Sequence, residues 1–323
     1  MFIKFIQHMN RNLRALDWFL KTLTNKDYER PVYGSYKLLH ECNLRCPFCN
    51  VWKTPMKSLD TKGAFKVIDR LSDSTVTVLS LEGGEPLLRK DLLDIIKHAY
   101  ERSFYLFFTT NGILLPKAPI NEFAKYLDFV HISIDEGHNN VYLLDDLKKY
   151  VDLGLKITVQ TVVTKNDIQF LRDKVLKVKE AGARILIMPA VHFDDVPDLS
   201  PDRKIMHDVL VELKKEFGGT IVTSRAFIDA LQNHYTCHSY GLSIESNGDV
   251  IYPCSVIGMR IGNLIENDLE YILSSNEAEK GREMMKSCKR ECFLYLHAET
   301  SNFMKPRNLA NFLMDTVEGY FLK

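Results

Sequence analysis

The stretch Cys42-Asn43-Leu44-Arg45-Cys46-Pro47-Phe48-Cys49 places three cysteines within eight residues, spaced C-x3-C-x2-C. The number of cysteines is the informative feature. A structural zinc site is closed by four protein ligands. Three thiolates instead bind three corners of a 4Fe–4S cube and leave the fourth iron open to another ligand. The spacing therefore favours an iron–sulfur loop over a zinc-stabilised one.

A second motif, Glu82-Gly83-Gly84-Glu85-Pro86, follows an apolar run that is typical of a strand. The two motifs in this order resemble the radical S-adenosylmethionine (SAM) superfamily, whose signature is such a cysteine triplet followed by a GGEP strand end. The resemblance covers residues 33–189. It implies that Cys42, Cys46 and Cys49 hold a 4Fe–4S cluster whose open iron is chelated by SAM.

The same resemblance implies the chemistry. One electron from the cluster, delivered by a donor of the flavodoxin or ferredoxin type, cleaves a carbon–sulfur bond of SAM and yields a 5′-deoxyadenosyl radical. The cofactor supplies the difficult chemistry, and the protein supplies binding and orientation.

Further SAM contacts are implied by four residues near these motifs. Phe48 matches the family's aromatic position beside the adenine. Gly83 and Gly84 allow a backbone path without Cβ atoms, so that main-chain groups can approach the methionine amine. Glu85 is expected to accept a charge-assisted hydrogen bond from that ammonium group.

Two later strand ends complete the implied SAM site. Thr109-Thr110-Asn111-Gly112 resembles the family's TTNG segment, and Ile132-Ser133-Ile134-Asp135 resembles its S-x-D motif. Thr110, Asn111 and Ser133 are therefore candidate SAM ligands, with turn formation or side-chain capping as the competing interpretation.

The residues suggest no catalytic acid or base. His131, His138 and His192 are candidates by residue type alone, and a structural role is the stronger interpretation for each. The loop Glu136–Asn140 is shorter than in many relatives, so the resemblance does not identify the substrate.

The remaining cysteines form a second set, Cys237, Cys254, Cys288 and Cys292, spaced C-x16-C-x33-C-x3-C. This set resembles the auxiliary-cluster subdomain of radical SAM enzymes, called SPASM with two clusters and twitch with one. Four cysteines imply one fully ligated 4Fe–4S cluster, which could carry an electron or brace the region. A zinc site of the same four thiolates remains the alternative.

Alternating short β-rich and helical runs predict a partial (β/α)6 TIM barrel in an α/β protein, with both motifs at its carboxyl edge. The predicted strands are Ser35–Leu39, Val76–Leu81, Tyr105–Thr109, Phe129–Ile134, Ile157–Val163 and Ile185–Met188. The predicted helices between them are Thr61–Leu71, Lys90–Arg102, Ile120–Leu127, Tyr142–Leu153 and Ile168–Ala181. Asn247-Gly248 predicts a hairpin of Leu242–Glu245 and Val250–Cys254.

We expect three regions: an amphipathic helical segment over residues 1–32, the barrel over 33–195, and the auxiliary-cluster subdomain with a terminal helix over 196–323. The first region and residues 308–323 are rich in apolar side chains. They are expected to cap the barrel, with peripheral membrane contact as the alternative.

Composition limits the function classes. Lys and Arg number 42, as do Asp and Glu, so no basic excess indicates a nucleic-acid partner. Seven cysteines, and no apolar run long enough to span a bilayer, predict a cytoplasmic, reducing location.

Taken together, the sequence predicts a radical SAM enzyme that abstracts a hydrogen atom from a small organic substrate, with a lipid or isoprenoid included. A SPASM-type maturase of ribosomal peptides is one alternative, although no peptide-recognition winged helix is evident before Cys42. A non-catalytic metal-bound scaffold is the other alternative.

Overall fold

The structure, a computed structural model, describes residues 2–24, 29–233, 236–290 and 292–303. Nine strands within these residues form one sheet. They are β1 (Tyr33–Lys37), β2 (Val78–Glu82), β3 (Tyr105–Thr110), β4 (Phe129–Ser133), β5 (Ile157–Val163), β6 (Arg184–Pro189), β7 (Gly241–Ile244), β8 (Asp249–Tyr252) and β9 (Met259–Asn263). Their order in the sheet is β6-β5-β4-β3-β2-β1-β7-β8-β9.

Helices follow most strands, as the βα pattern predicts. They are α1 (Phe2–Thr24), α2 (Thr61–Ser72), α3 (Leu92–Glu101), α4 (Ile120–Tyr126), α5 (Leu147–Asp152), α6 (Leu171–Glu180), α7 (Arg203–Phe217), α8 (Arg225–Ala230), α9 (Leu269–Leu273), α10 (Asn276–Lys286) and α11 (Tyr295–Phe303). The predicted helices Tyr142–Leu153 and Ile168–Ala181 each begin as 3-10 turns, at Val141–Asp146 and Ile168–Phe170, so both α-helices are shorter than expected.

Strands β1 to β6 are parallel and neighbour one another in chain order, which confirms the partial barrel. Alternation along each strand separates two faces. Tyr36, Leu79 and Leu81 join the apolar core, whereas Lys37 and Glu82 lie on the other face, which lines the barrel interior. The carboxyl ends of these strands therefore carry the polar side chains.

The C-terminal hairpin belongs to the same sheet as the barrel strands. Strand β7 pairs in parallel with β1, with Tyr33 opposite Gly241 and Tyr36 opposite Ile244. Strands β8 and β9 then add antiparallel, and β9 was not predicted. The hairpin thus continues the barrel sheet, and its buried residues belong to the same core. The division of the chain into three regions remains a prediction.

Helix α1 packs across the amino end of the barrel through its basic side. The Arg11 guanidinium lies 2.7 Å from a carboxylate oxygen of Asp128, just before β4. Arg14 donates to the carbonyl of Arg102 at 2.9 Å and to that of Val76. The predicted capping role is therefore correct, but two of the basic side chains expected to face a membrane are bound inside the protein.

None of the helices in the described ranges is both long and apolar enough to cross a bilayer. The predicted terminal helix at residues 308–323 lies outside the described residues.

Candidate SAM and iron–sulfur site

Cys42, Cys46 and Cys49 line one cavity of about 110 Å³ at the carboxyl ends of β1 to β4. Five of the predicted SAM ligands line the same cavity: Gly83, Gly84, Thr110, Asn111 and Ser133. The parallel strands bring these separate motifs together because their carboxyl ends meet at one edge of the sheet.

The three thiols lie near one another. The pKa of the Cys46 thiol is raised to about 12, chiefly by burial and to a smaller extent by the neighbouring Cys49, Asp135 and Cys42. Thiolates gathered in this way repel each other until a cation balances them, and binding iron displaces their protons. Three soft donors on one short loop, beside a cavity lined by a GGEP motif, fit a cluster with three protein ligands.

Gly83 and Gly84 are required by the protein's own backbone. A Cβ atom on Gly84 would lie 2.0 Å from the carbonyl oxygen of Glu41, and one on Gly83 would lie 2.3 Å from that of Leu39. Gly84 N also donates to Leu39 O at 2.8 Å. The two glycines therefore let the GGEP turn dock against the cysteine loop. Their role in letting main-chain groups approach the methionine amine of SAM remains a prediction.

Glu85 is held by groups of the chain itself. Its fully buried carboxylate accepts hydrogen bonds from Leu87 N at 3.0 Å, Thr110 Oγ1 at 2.8 Å and Asn111 N at 2.8 Å. Burial raises its pKa above the ordinary range. These partners engage the carboxylate within the chain, so it positions Thr110 and Asn111. A further hydrogen bond from the ammonium of SAM remains a prediction.

Asn43 and Asn140, which lie outside the predicted set, help to stabilise the site. Asn111 Nδ2 donates to Asn43 Oδ1 at 2.6 Å, which joins the end of β3 to the cysteine loop. Asn140 Nδ2 donates to the carbonyls of Asn111 and Ser133, at 2.8 and 2.6 Å, and so ties β3 to β4. Asn43 and Asn140 both lie in loops, where the sequence gives only a weak signal.

Phe48 and the histidines have distinct surroundings. Phe48 packs so closely on Gly137 that a Cβ there would lie 2.2 Å from the ring, and its centroid is 5.3 Å from that of His138. His138 lines the SAM cavity. Burial lowers the pKa of His131 to about 3, so this side chain is neutral. His192 lies in another cleft.

A charged group beside the cavity was missed. Glu82 lines the cavity and accepts a hydrogen bond from Ser35. Burial raises its pKa. Lys37, opposite Glu82 in the strand register, places Nζ 2.6 Å from Glu245 Oε1, and His40 Nε2 lies 2.7 Å from the other oxygen. The sequence did carry a signal for this group, because Lys37 and Glu82 are charged residues at inward-facing positions at the ends of β1 and β2.

The structure also brings together three cysteines of the second set. Burial is the main cause that raises the pKa of Cys254, and Cys292 and Cys288 raise it further because they lie nearby. Cys254 Sγ accepts from Ile257 N at 3.4 Å. A fourth ligand at Cys237 remains a prediction. Within the described residues, no three His, Cys, Asp or Glu side chains are close enough to bind a single metal ion.

An open cleft of about 600 Å³ separates the loop after β6 from the second cysteine set, with Pro189 on one wall and Cys292 on the other. The loop 190–201 contacts both cysteine regions. Lys53 Nζ donates to Asp195 O at 3.0 Å, and the Arg290 guanidinium lies 3.6 Å from the Asp194 carboxylate. The cleft therefore adjoins the second predicted cluster, and the loop that forms one of its walls also contacts Lys53, four residues after Cys49.

Two family models match this chain. The radical SAM superfamily model matches residues 36–151, and the SPASM model, an iron–sulfur cluster-binding domain, matches residues 236–293. These matches imply SAM, its 4Fe–4S cluster and an auxiliary cluster, in agreement with the two cysteine sets.

Several known proteins are similar. A PqqA peptide cyclase of Bradyrhizobium diazoefficiens is 29% identical over 169 residues, 46% of this chain and 44% of the cyclase, so the chain spans less than half of that relative. An AdoMet-dependent heme synthase of Methanosarcina barkeri is 23% identical over 290 residues, 76% of this chain and 83% of the synthase. The structure of Streptococcus suis SuiB bound to precursor peptide SuiA superposes with a TM-score of 0.69 at 17% identity, covering 95% and 75% of the two chains.

Proposed function

Because this chain belongs to the radical SAM superfamily and carries a SPASM domain, we propose that it is a peptide-modifying radical SAM enzyme. Its substrate in this proposal is a ribosomally made precursor peptide. When bound, the cluster and SAM supply the 5′-deoxyadenosyl radical that abstracts a hydrogen atom from the substrate.

The cleft beside Cys292 is the observation that carries the proposal. Its volume of about 600 Å³ and its open form suit an extended chain better than a small molecule enclosed on all sides. Similarity to a PqqA peptide cyclase supports the same substrate class. This reverses the order of our sequence-based expectations, in which a small organic or lipid substrate came first.

In this proposal, different residues of the chain hold the cluster, contact SAM and form the wall of the peptide cleft. Cys42, Cys46 and Cys49 hold the cluster, while Asn111 and Ser133 present polar groups to SAM in the cavity. The loop 190–201 forms one wall of the cleft, so a peptide lying there would pass between the two cysteine regions.

Oxidation of a small non-peptide substrate is the second candidate. The heme synthase relative supports it, because the match covers most of both chains. The Lys37 ammonium, which lies on the barrel interior opposite Glu82, would then pair with a carboxylate of such a substrate.

One experiment separates the two candidates. The anaerobically reconstituted protein is given SAM and dithionite, with either short precursor peptides encoded next to its gene or an iron porphyrin. We expect release of 5′-deoxyadenosine together with a change in peptide mass, and no peptide change with Cys46→Ala. Porphyrin turnover without a peptide product would transfer the assignment to the second candidate, and a chain that never cleaves SAM would contradict both.

A further inference from the structure

The side of α1 that faces away from the barrel is apolar. Leu13, Leu16 and Leu20 are 56%, 52% and 50% exposed, whereas Arg11 and Trp18 on the opposite side are 2% and 8% exposed. A helix that packs on a protein core normally buries its apolar stripe and exposes its charges. Here the arrangement is reversed, so the apolar stripe has no partner among the described residues.

The spacing of this stripe is that of a coiled coil. Apolar residues recur at intervals alternating between four and three, at Phe2, Ile6, Met9, Leu13, Leu16, Leu20 and Leu23. An average of 3.5 residues is the period with which two helices wind around each other. The helix has 23 residues, and at 1.5 Å per residue it is about 34 Å long, enough for three heptads.

We propose that this face of α1 pairs with the same face of a second copy of the chain, so that a two-helix coiled coil holds a symmetric dimer. Leucine occupies both heptad positions at Leu13, Leu16 and Leu20, so this part of the seam is complementary to itself, as a two-fold interface requires. Residues 304–323 of the same chain fit less well, because Thr316 and Gly319 interrupt their apolar pattern.

Charge argues against a lipid surface as the partner. Arg11 and Arg14 are bound at the amino end of the barrel, so they cannot reach anionic headgroups. The exposed Lys21 ammonium lies 2.8 Å from the Asp17 carboxylate and is already paired. The described part of the exposed face is therefore nearly neutral, which suits an apolar seam between two copies.

The position of α1 keeps such a dimer clear of the chemistry. Its contacts with Asp128, Arg102 and Val76 lie at the amino end of the barrel, whereas the SAM cavity lies at the carboxyl end. Both sites of a dimer would stay open, so dimerisation and SAM cleavage can be tested separately.

The test compares the mass of the full-length protein in solution with that of a Leu16→Glu, Leu20→Glu variant, by sedimentation equilibrium over a range of concentrations. We expect the wild type to dimerise and the double variant to dimerise at least about a hundredfold more weakly, because each substitution places a charge in a buried apolar seam. Circular dichroism and dithionite-driven SAM cleavage per chain should be unchanged.

Ile205→Glu is the matched control, since Ile205 is also helical and is 53% exposed; it should leave the dimer intact. A wild type that is monomeric at every concentration would overturn the proposal. A double variant that still dimerises would also overturn it. If a chain ending at Phe303 dimerises and the full chain does not, residues 304–323 cover the apolar face of α1 instead, and the proposal is again wrong. If the wild type pellets with anionic vesicles and the double variant does not, the exposed leucines of α1 bind lipid rather than a second copy.

Discussion

Gly84 shows how one absent Cβ atom fixes the position of the cysteine loop. The GGEP turn and the loop approach until only a glycine fits between them, and backbone hydrogen bonds join Gly84 N to Leu39 O and Glu85 N to Glu41 O. The motif therefore shapes the cluster loop as well as the SAM cavity.

We predict that Gly84→Ala displaces the cysteine loop, because its Cβ would meet the Glu41 carbonyl oxygen at 2.0 Å and backbone atoms cannot rotate away. Iron bound to the first site should fall severalfold, and the protein should be destabilised by about 1–3 kcal/mol, as for other strained core substitutions. Iron analysis and urea unfolding measure the two effects.

Gly154→Ala is the control for this substitution. Gly154 has a positive φ, of 94°, but a Cβ atom added there would lie 3.8 Å from its nearest neighbour, the Cβ of Ala124. The substitution should therefore lower the free energy of unfolding by about 1 kcal/mol without loss of iron. Normal iron content in Gly84→Ala, with only SAM binding weakened, would instead support the role first expected from the sequence.

At this scale the sequence identifies candidate cysteines more readily than the partners of carboxylates. Cys42, Cys46 and Cys49 are recognisable because ligand type and spacing are set by the cluster itself. Glu85 carries the family signature, yet its partners are three donors that come from its own turn and the end of β3. Glu82 carries no such signature, and only the pairing of the strands reveals that it lines the cavity.

At the scale of elements, β7 links the C-terminal region to the catalytic edge of the barrel. Just after β7, Glu245 binds Lys37 at the end of β1 and lies 2.7 Å from His40, which precedes the cysteine loop. The sequence predicted the hairpin from its Asn-Gly turn. It could not predict that β7 pairs with β1, because the partner lies some 200 residues away and local patterns carry no pairing information.

Glu245→Gln should therefore lower the free energy of unfolding by about 1–3 kcal/mol at pH 7, since it leaves the Lys37 charge half-buried without a carboxylate. Burial alone would raise the pKa of Glu245, but the His40 hydrogen bond and the Lys37 charge outweigh it and hold this pKa below its usual value of 4.5. The stabilisation is thus fully present above pH 4.5 and is lost as the pH falls through the lowered, folded-state pKa.

Urea unfolding of both proteins at pH 7 and at acidic pH measures this difference. The gap between wild type and Glu245→Gln should shrink in acid. The exposed Glu283→Gln serves as control and should change stability by less than about 0.5 kcal/mol at either pH. A gap that is constant with pH would show that the carboxylate charge of Glu245 is not what joins β7 to the barrel.

At the scale of the whole molecule, one continuous sheet carries two cysteine sets. The triplet follows β1 and Cys254 follows β8, and β7 alone lies between these two strands in the sheet. The loop 190–201 touches both regions from the other side. The barrel was predictable from the alternation of β and α segments. The short distance between the two cysteine regions was not, because it depends on long-range strand pairing and on loop contacts that have no sequence signature.

Two sites on one core predict a definite metal content. The reconstituted wild type should hold about eight irons per chain, and Cys46→Ala should keep about four, because the second set has its own ligands. Cys292→Ala should keep about four at the first site. It should also unfold at a lower urea concentration, since the bound cluster contributes folding free energy to the region around β8.

Iron and zinc analysis with electron paramagnetic resonance distinguishes the outcomes. A wild type with about four irons and one zinc would assign the second set to zinc, and loss of all iron in Cys46→Ala would mean that the two sites do not assemble independently.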